Sequence, residues 1–239
     1  MRTTLPPCSL AGVAAGFGVL QLRQWLRQAG QTLGIGRASP LRADTWAPPD
    51  SELCKRAHSL AREAYDDHLL GHGERTWAFA KAVATQLDLK PDPEALYVAC
   101  LLHDLGLTDR FAGPEPFELR GADAAHATCL PDTVRADLVH EAIAMHTSLQ
   151  AAMGPAEMRL VQTGSGCDLV GLDAEFVHPE TRRRIEAQWP VSSKFAGHIV
   201  GRLKNETSAH PKSPGARLVQ VGFGPRVKAY QRQRGKAET

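Results

Sequence analysis

Apolar positions recur along this chain at intervals of three and four, the signature of helices with one face turned to a core. Leu53, Ala57, Leu60, Ala61 and Ala64 form one such stripe, in a helix predicted from 51 to about 65 with Ser51 as its cap. A second helix is predicted from about 72 to 87. Trp77, Ala80, Val83, Ala84 and Leu87 mark its core face, and residues 69–71 read as the turn before it. Pro91 and Pro93 separate it from residues 94–102, an almost wholly apolar helical run. Further helices are read at 121–130, from Pro131 to about 146 (Val134, Leu138, Ala142, Met145), at 157–172, 179–189 and 195–203. Residues 107–120, with two prolines and a glycine, read as a loop, and only 218–223 looks strand-like. The fold class predicted is all-α.

The chain divides by charge. Residues 1–43 carry Arg2, Arg23, Arg27, Arg37 and Arg42 and no acid, followed by Asp44. Leu22, Trp25 and Leu26 suggest a short amphipathic helix there, which either packs on the domain or belongs to a targeting segment. Residues 44–211 then form the main domain. Residues 212–239 are a basic segment, seven Lys and Arg against Glu238, read as a solvated end.

Composition narrows the function. At 43% hydrophobic the chain can bury a core, and a net charge of +2 implies no field that gathers polyanions. Aromatics at 6% are too sparse for a base-stacking surface, so no nucleic-acid partner is expected. The five cysteines (Cys8, Cys54, Cys100, Cys129, Cys167) have no CxxC spacing, which points to a reducing compartment rather than a disulfide framework. No apolar run approaches the ~20 residues of a membrane span. The location expected is cytoplasmic, or an organelle if residues 1–43 are a transit peptide. The sequence leaves a homo-oligomer open.

The chemistry-bearing feature is His103-Asp104, at the end of the most apolar helix and followed by Gly106. An imidazole and a carboxylate are costly to bury unless something pairs them. A divalent cation would do so. A simple His–Asp hydrogen bond, or Asp104 capping the next segment, would do so as well.

Beyond that pair, the sequence resembles a known family. His72, His103-Asp104 and Asp168 follow the H…HD…D order of the HD-domain metalloenzymes. The blocks WAPPDSELCKRA (46–57), HGERTWAFA (72–80), LLHDLGLTDRF (101–111), GADAA (121–125), EAIAMHT (141–147) and GSGCDLVGLD (164–173) resemble the cyanamide hydratase branch. The resemblance implies an HD-domain helical bundle with a metal between helices, held by His72, His103, Asp104 and Asp168. Two imidazoles and two carboxylates suit zinc first, then iron, then manganese.

His146 falls where that branch also carries a histidine and reads as a proton carrier beside the metal, or else as a helix-end residue. Thr108 and Arg75 join the catalytic candidates. Leu107, Phe111 and Phe117 are expected to line a substrate pocket. His126 and His140 read as structural. The implied reaction is attack of metal-bound hydroxide on a small C–N multiple bond, converting cyanamide to urea. A phosphohydrolase acting on a nucleotide or phosphate monoester is the alternative. It is weakened because no cation follows the HD pair, where Gly106-Leu107-Thr108 stand. A regulatory module with a structural metal is the third reading.

Overall fold

In the computed structural model, which describes residues 38–236 together with residues 5, 9–16, 18, 19, 22 and 26, several helices start where a side chain caps them. Ser51 accepts from the Cys54 N–H and opens α1 (Glu52–Ala64). Asp66 accepts from His68 and Leu69 and opens α2 (Asp67–Gln86). This start lies earlier than predicted. The Asp66 carboxylate supplies the cap, so residues 69–71 are helical and Gly71 is carried within the helix. Asp92 caps α3 (Pro93–Leu102), with Pro93 in the first turn, where its missing N–H costs nothing.

The chain continues through α4 (Phe117–Cys129), α5 (Thr133–Met145), α6 (Ala156–Val170), α7 (Pro179–Gln188), α8 (Phe195–Ala209), α9 (Pro214–Gln220) and α10 (Phe223–Lys236). The fold is all-α, with no strand among the described residues. No helix among them is long and apolar enough to cross a membrane.

Several expectations are corrected. The loop predicted at 107–120 gives way to α4 at Phe117, four residues before Gly121. Pro131 does not open α5, because Asp132 is the residue that caps it. The strand-like residues 218–223 are helical up to Gln220. Their β-branched residues have no neighbouring strand to pair with, and context overrides propensity. The basic segment from 212 is no solvated end. It folds into α9 and α10, which pack on α8 and α6, with Val227 fully buried and Arg234 nearly so. The amphipathic segment around Trp25 lies for the most part outside the described residues.

The core is built around α3, on which every residue from Ala95 to Leu102 is buried. A helix apolar on all sides needs neighbours on all sides. Here α1, α2, α5 and α6 provide them. The most extensive helix pairing among the described residues is α2 against α6, and Gly164 permits it. A Cβ at Gly164 would lie 2.3 Å from the Thr76 carbonyl oxygen, so only glycine lets these backbones approach. The helix runs unbroken through Gly164 and Gly166. This approach brings His72 on α2 to Asp168 on α6.

Candidate metal centre

At the end of α3, His103 keeps helical dihedrals (φ −60°, ψ −26°). Asp104 (φ −102°, ψ 11°) then turns the chain into the short helical turn Leu105–Leu107. Gly106 in that turn sits against the start of α4, where a Cβ would come within 2.0 Å of the Phe117 carbonyl oxygen. Two arginines hold the turn. Arg120 donates to the Gly106 carbonyl at 2.6 Å, and Arg202 donates to that of Leu107 at 2.7 Å. The His103-Asp104 corner is therefore fixed from outside the site.

Three imidazoles converge there. His103 Nδ1 is 2.8 Å from the Cys100 carbonyl oxygen, and His146 Nδ1 is 2.6 Å from that of Ile143. A carbonyl only accepts, so Nδ1 carries the proton in each and Nε2 keeps its lone pair. His72 Nδ1 lies 2.8 Å from Asp168 Oδ2, which sets the same tautomer. His72 Nε2 is 3.8 Å, and His103 Nε2 3.5 Å, from Asp104 Oδ2, while His146 Nε2 is 3.9 Å from Asp104 Oδ1. Ser165 Oγ lies 3.4 Å from His72 Nε2.

Burial, reinforced by the neighbouring His72, brings His103 down to about 3. Burial and His103 bring His146 down to about 4. Both rings are neutral near pH 7. Burial raises Asp104, against the pull of His72 and His146.

Asp168 meets His72 from the other side. Besides His72 Nδ1 it accepts Arg75 Nε at 2.8 Å and NH2 at 3.0 Å, and Arg234 NH1 at 2.9 Å. Burial alone would raise its pKa, but Arg75, His72 and Arg234 hold it well below the ordinary carboxylate range. Arg75 also donates to the Trp189 carbonyl at 3.3 Å and lies 5.1 Å over the Phe195 ring. Arg234 also reaches Glu186 at 2.7 Å.

Among the described residues, the ligand atoms lying within 4.8 Å of one another belong to His72, His103 and Asp104. Asp168 stands behind His72, outside that group. Arg75 sits with Asp168. The Thr108 hydroxyl donates to the Leu105 carbonyl at 2.7 Å. His140 pairs with Asp123 at 3.1 Å and His126 with Asp137 at 3.3 Å, away from the corner.

A cavity of about 170 Å³ opens at the corner. Asp104, His146, Thr147, Gln162 and Ser165 are among its polar lining, and Phe117, Leu169, Ile199, Leu203, Leu218 and Phe223 supply apolar wall. Arg226 is the one Lys or Arg among the lining residues. Phe117 is thus at the cavity, whereas Leu107 and Phe111 are not among the residues that line it.

Two curated proteins, the cyanamide hydratases DDI2 and DDI3 of Saccharomyces cerevisiae, are each 30% identical to this chain over 154 residues, covering 60% of it and 68% of the relative. The chain belongs to the cyanamide hydratase family. No family model matches it. Membership supports a hydratase-like enzyme of small-molecule chemistry.

The metal implied by the family resemblance can be tested on the corner itself. His103 Nε2 is fully buried and has no hydrogen-bond partner. It faces a buried carboxylate and a second imidazole lone pair. Neutral imidazoles whose outer N–H is held by a carbonyl or carboxylate are the form that binds metal, so the residues fit a divalent cation.

Sequence reasoning missed three contributors: Ser165, Arg234 and the wall residues of α8 and α9. Ser165 carried a signal in the GSGCD run. Arg234, one base in a basic stretch, carried none.

Proposed function

We propose that this protein is a metal-dependent hydratase of the HD-domain type. It adds water across the C–N multiple bond of a small neutral substrate of the cyanamide kind, giving urea from cyanamide itself. The carrying observation is the cavity. Its lining brings Asp104 and His146 together with neutral polar side chains and a wide apolar wall, and holds a single arginine. A phosphate dianion requires several fixed cations or N–H donors. Arg75, Arg120 and Arg202 are engaged by Asp168, by backbone carbonyls and by acidic side chains, which disfavours the phosphohydrolase reading.

His72, His103 and Asp104 would hold the ion, with zinc the first choice. A bound divalent ion supplies a water acidic enough to ionise near neutrality and an electrophile for charge developing on nitrogen. His146, with Nδ1–H fixed on Ile143, presents an unprotonated Nε2 toward Asp104. It takes the proton that water loses and returns it to the substrate nitrogen. Asp168, locked by two arginines, keeps the His72 Nδ1–H in place and so keeps its Nε2 lone pair turned inward. Phe117 packs against the His146 ring, with centroids 5.7 Å apart, and fixes its plane.

The test is elemental analysis of the purified protein together with urea, ammonia and phosphate release over cyanamide, simple nitriles and nucleotides. Urea formation that tracks metal content is expected. Phosphate release without urea formation would reverse the assignment.

A further inference from the structure

The cavity is larger than cyanamide needs. Resting on the hydratase reading above, we infer that the preferred substrate carries an apolar group of about benzene size, attached to the C–N function directly or through an amino nitrogen. A cavity of ~150 Å³ lined by Leu, Ile and Phe takes a benzene molecule. This one measures about 170 Å³ and is walled by Phe117, Leu169, Ile199, Leu203, Leu218 and Phe223. Cyanamide has three heavy atoms and leaves most of that space unfilled.

In the polar part of the lining, the donors of Thr147 and Gln162 are already used by the protein. Thr147 Oγ1 donates to Glu118 at 2.9 Å. Gln162 Nε2 donates to the His146 and Ser148 carbonyls at 3.1 and 2.6 Å. Cyanamide would reach the polar part of the lining and leave the hydrocarbon wall uncovered. An aryl or branched alkyl substituent covers that wall. It places the reacting carbon at Asp104 and His146 and the substituent against α8 and α9.

The reaction is hydration in either case. Water oxygen forms a bond to carbon, one π pair of the C–N bond moves to nitrogen, and nitrogen takes a proton. The resulting imidic acid tautomerises to an amide, or to a substituted urea when the substrate is a cyanamide. One water is added, nothing leaves and nothing is oxidised.

The metal-loaded full chain should be assayed with cyanamide, acetonitrile, benzonitrile and phenylcyanamide. Binding of urea and of phenylurea should be measured by calorimetry. We expect kcat/KM for phenylcyanamide to exceed that for cyanamide by about tenfold or more, the scale at which apolar pockets discriminate. Phenylurea should bind correspondingly tighter than urea. Leu218→Trp fills the chamber from α9 and should reverse both preferences. Leu203→Phe does so more gently and serves if the larger change disturbs folding. Hydration of cyanamide with no turnover of either phenyl compound overturns this inference and leaves the hydratase reading intact. Absence of any C–N hydration by a metal-replete protein overturns both.

Discussion

Arg234 and Asp168, 66 residues apart in the chain, meet at 2.9 Å with both side chains buried. Gln231, from the same helix, donates to the Asp168 carbonyl at 2.6 Å. The last helix is thus fastened to the residue that backs His72. Asp168 accepts from two guanidinium groups and one imidazole, and all three lower its pKa.

Arg234→Met should weaken metal affinity by roughly 10- to 100-fold, the usual effect of removing an outer support of a ligand. It should also lower stability by about 3 kcal/mol, because Asp168 and Glu186 each lose a buried cation. Arg234→Lys should recover part of both. Chelator competition and denaturant titration measure the two effects separately. Unchanged metal affinity would show that Asp168 needs only Arg75.

His103→Ala removes a fully buried lone pair that no other group occupies. Metal binding and turnover should both disappear. The measurement is metal stoichiometry after dialysis, and a protein that keeps one ion and full activity would refute the assignment of this corner.

His146→Ala should keep the ion while kcat falls by about 100-fold or more, the range expected for losing a positioned proton carrier. Its Nε2 is 3.9 Å from Asp104 Oδ1, next to the His72–His103–Asp104 group rather than within it. Stoichiometry distinguishes the cases, since loss of the ion would make His146 a ligand.

Glu118 links α4 to Thr147 and to the Gly215 N–H at the start of α9, using Oε1 alone. Its Oε2 is buried without a hydrogen-bond partner. Burial pushes this carboxyl from an ordinary value near 4.5 up to about 7. The sign follows directly. The folded state holds the proton more tightly than the unfolded one, so this contribution to stability is full below about 4.5 and is lost as pH rises through about 7. At ~1.4 kcal/mol per tenfold displacement, the loss reaches roughly 3 kcal/mol. Glu118→Gln keeps the accepting oxygen and cannot ionise. It should flatten the pH dependence of stability in that window and leave the variant more stable than the parent at pH 8. Parallel denaturation curves at pH 5 and pH 8 decide it.

The periodicity of apolar residues located most helices because each buries one face, and periodicity reports that face directly. It failed where a cap or a neighbour decides. Asp66 moved the start of α2, and Asp132 rather than Pro131 set the start of α5. The corner of the site was legible because His103-Asp104 interrupts an apolar run. The surroundings of Asp168 were not. Which bases neutralise a buried carboxylate depends on the tertiary approach of helices, and Arg234 looks in sequence like any other residue of a basic stretch. The apolar chamber is partly visible through Phe117, but residues 218–223 look strand-like in sequence, which leaves Leu218 unplaced.

A ribosome makes this protein from the amino end, so both histidines, both aspartates and Arg75 exist before α10 is translated. During that interval Asp168 has one guanidinium instead of two. A frameshift or stop within α10 would yield a polypeptide carrying every proposed ligand yet lacking the clasp behind His72. Such a product would pass any inspection of its candidate ligand residues while missing one of the two guanidinium groups that meet Asp168.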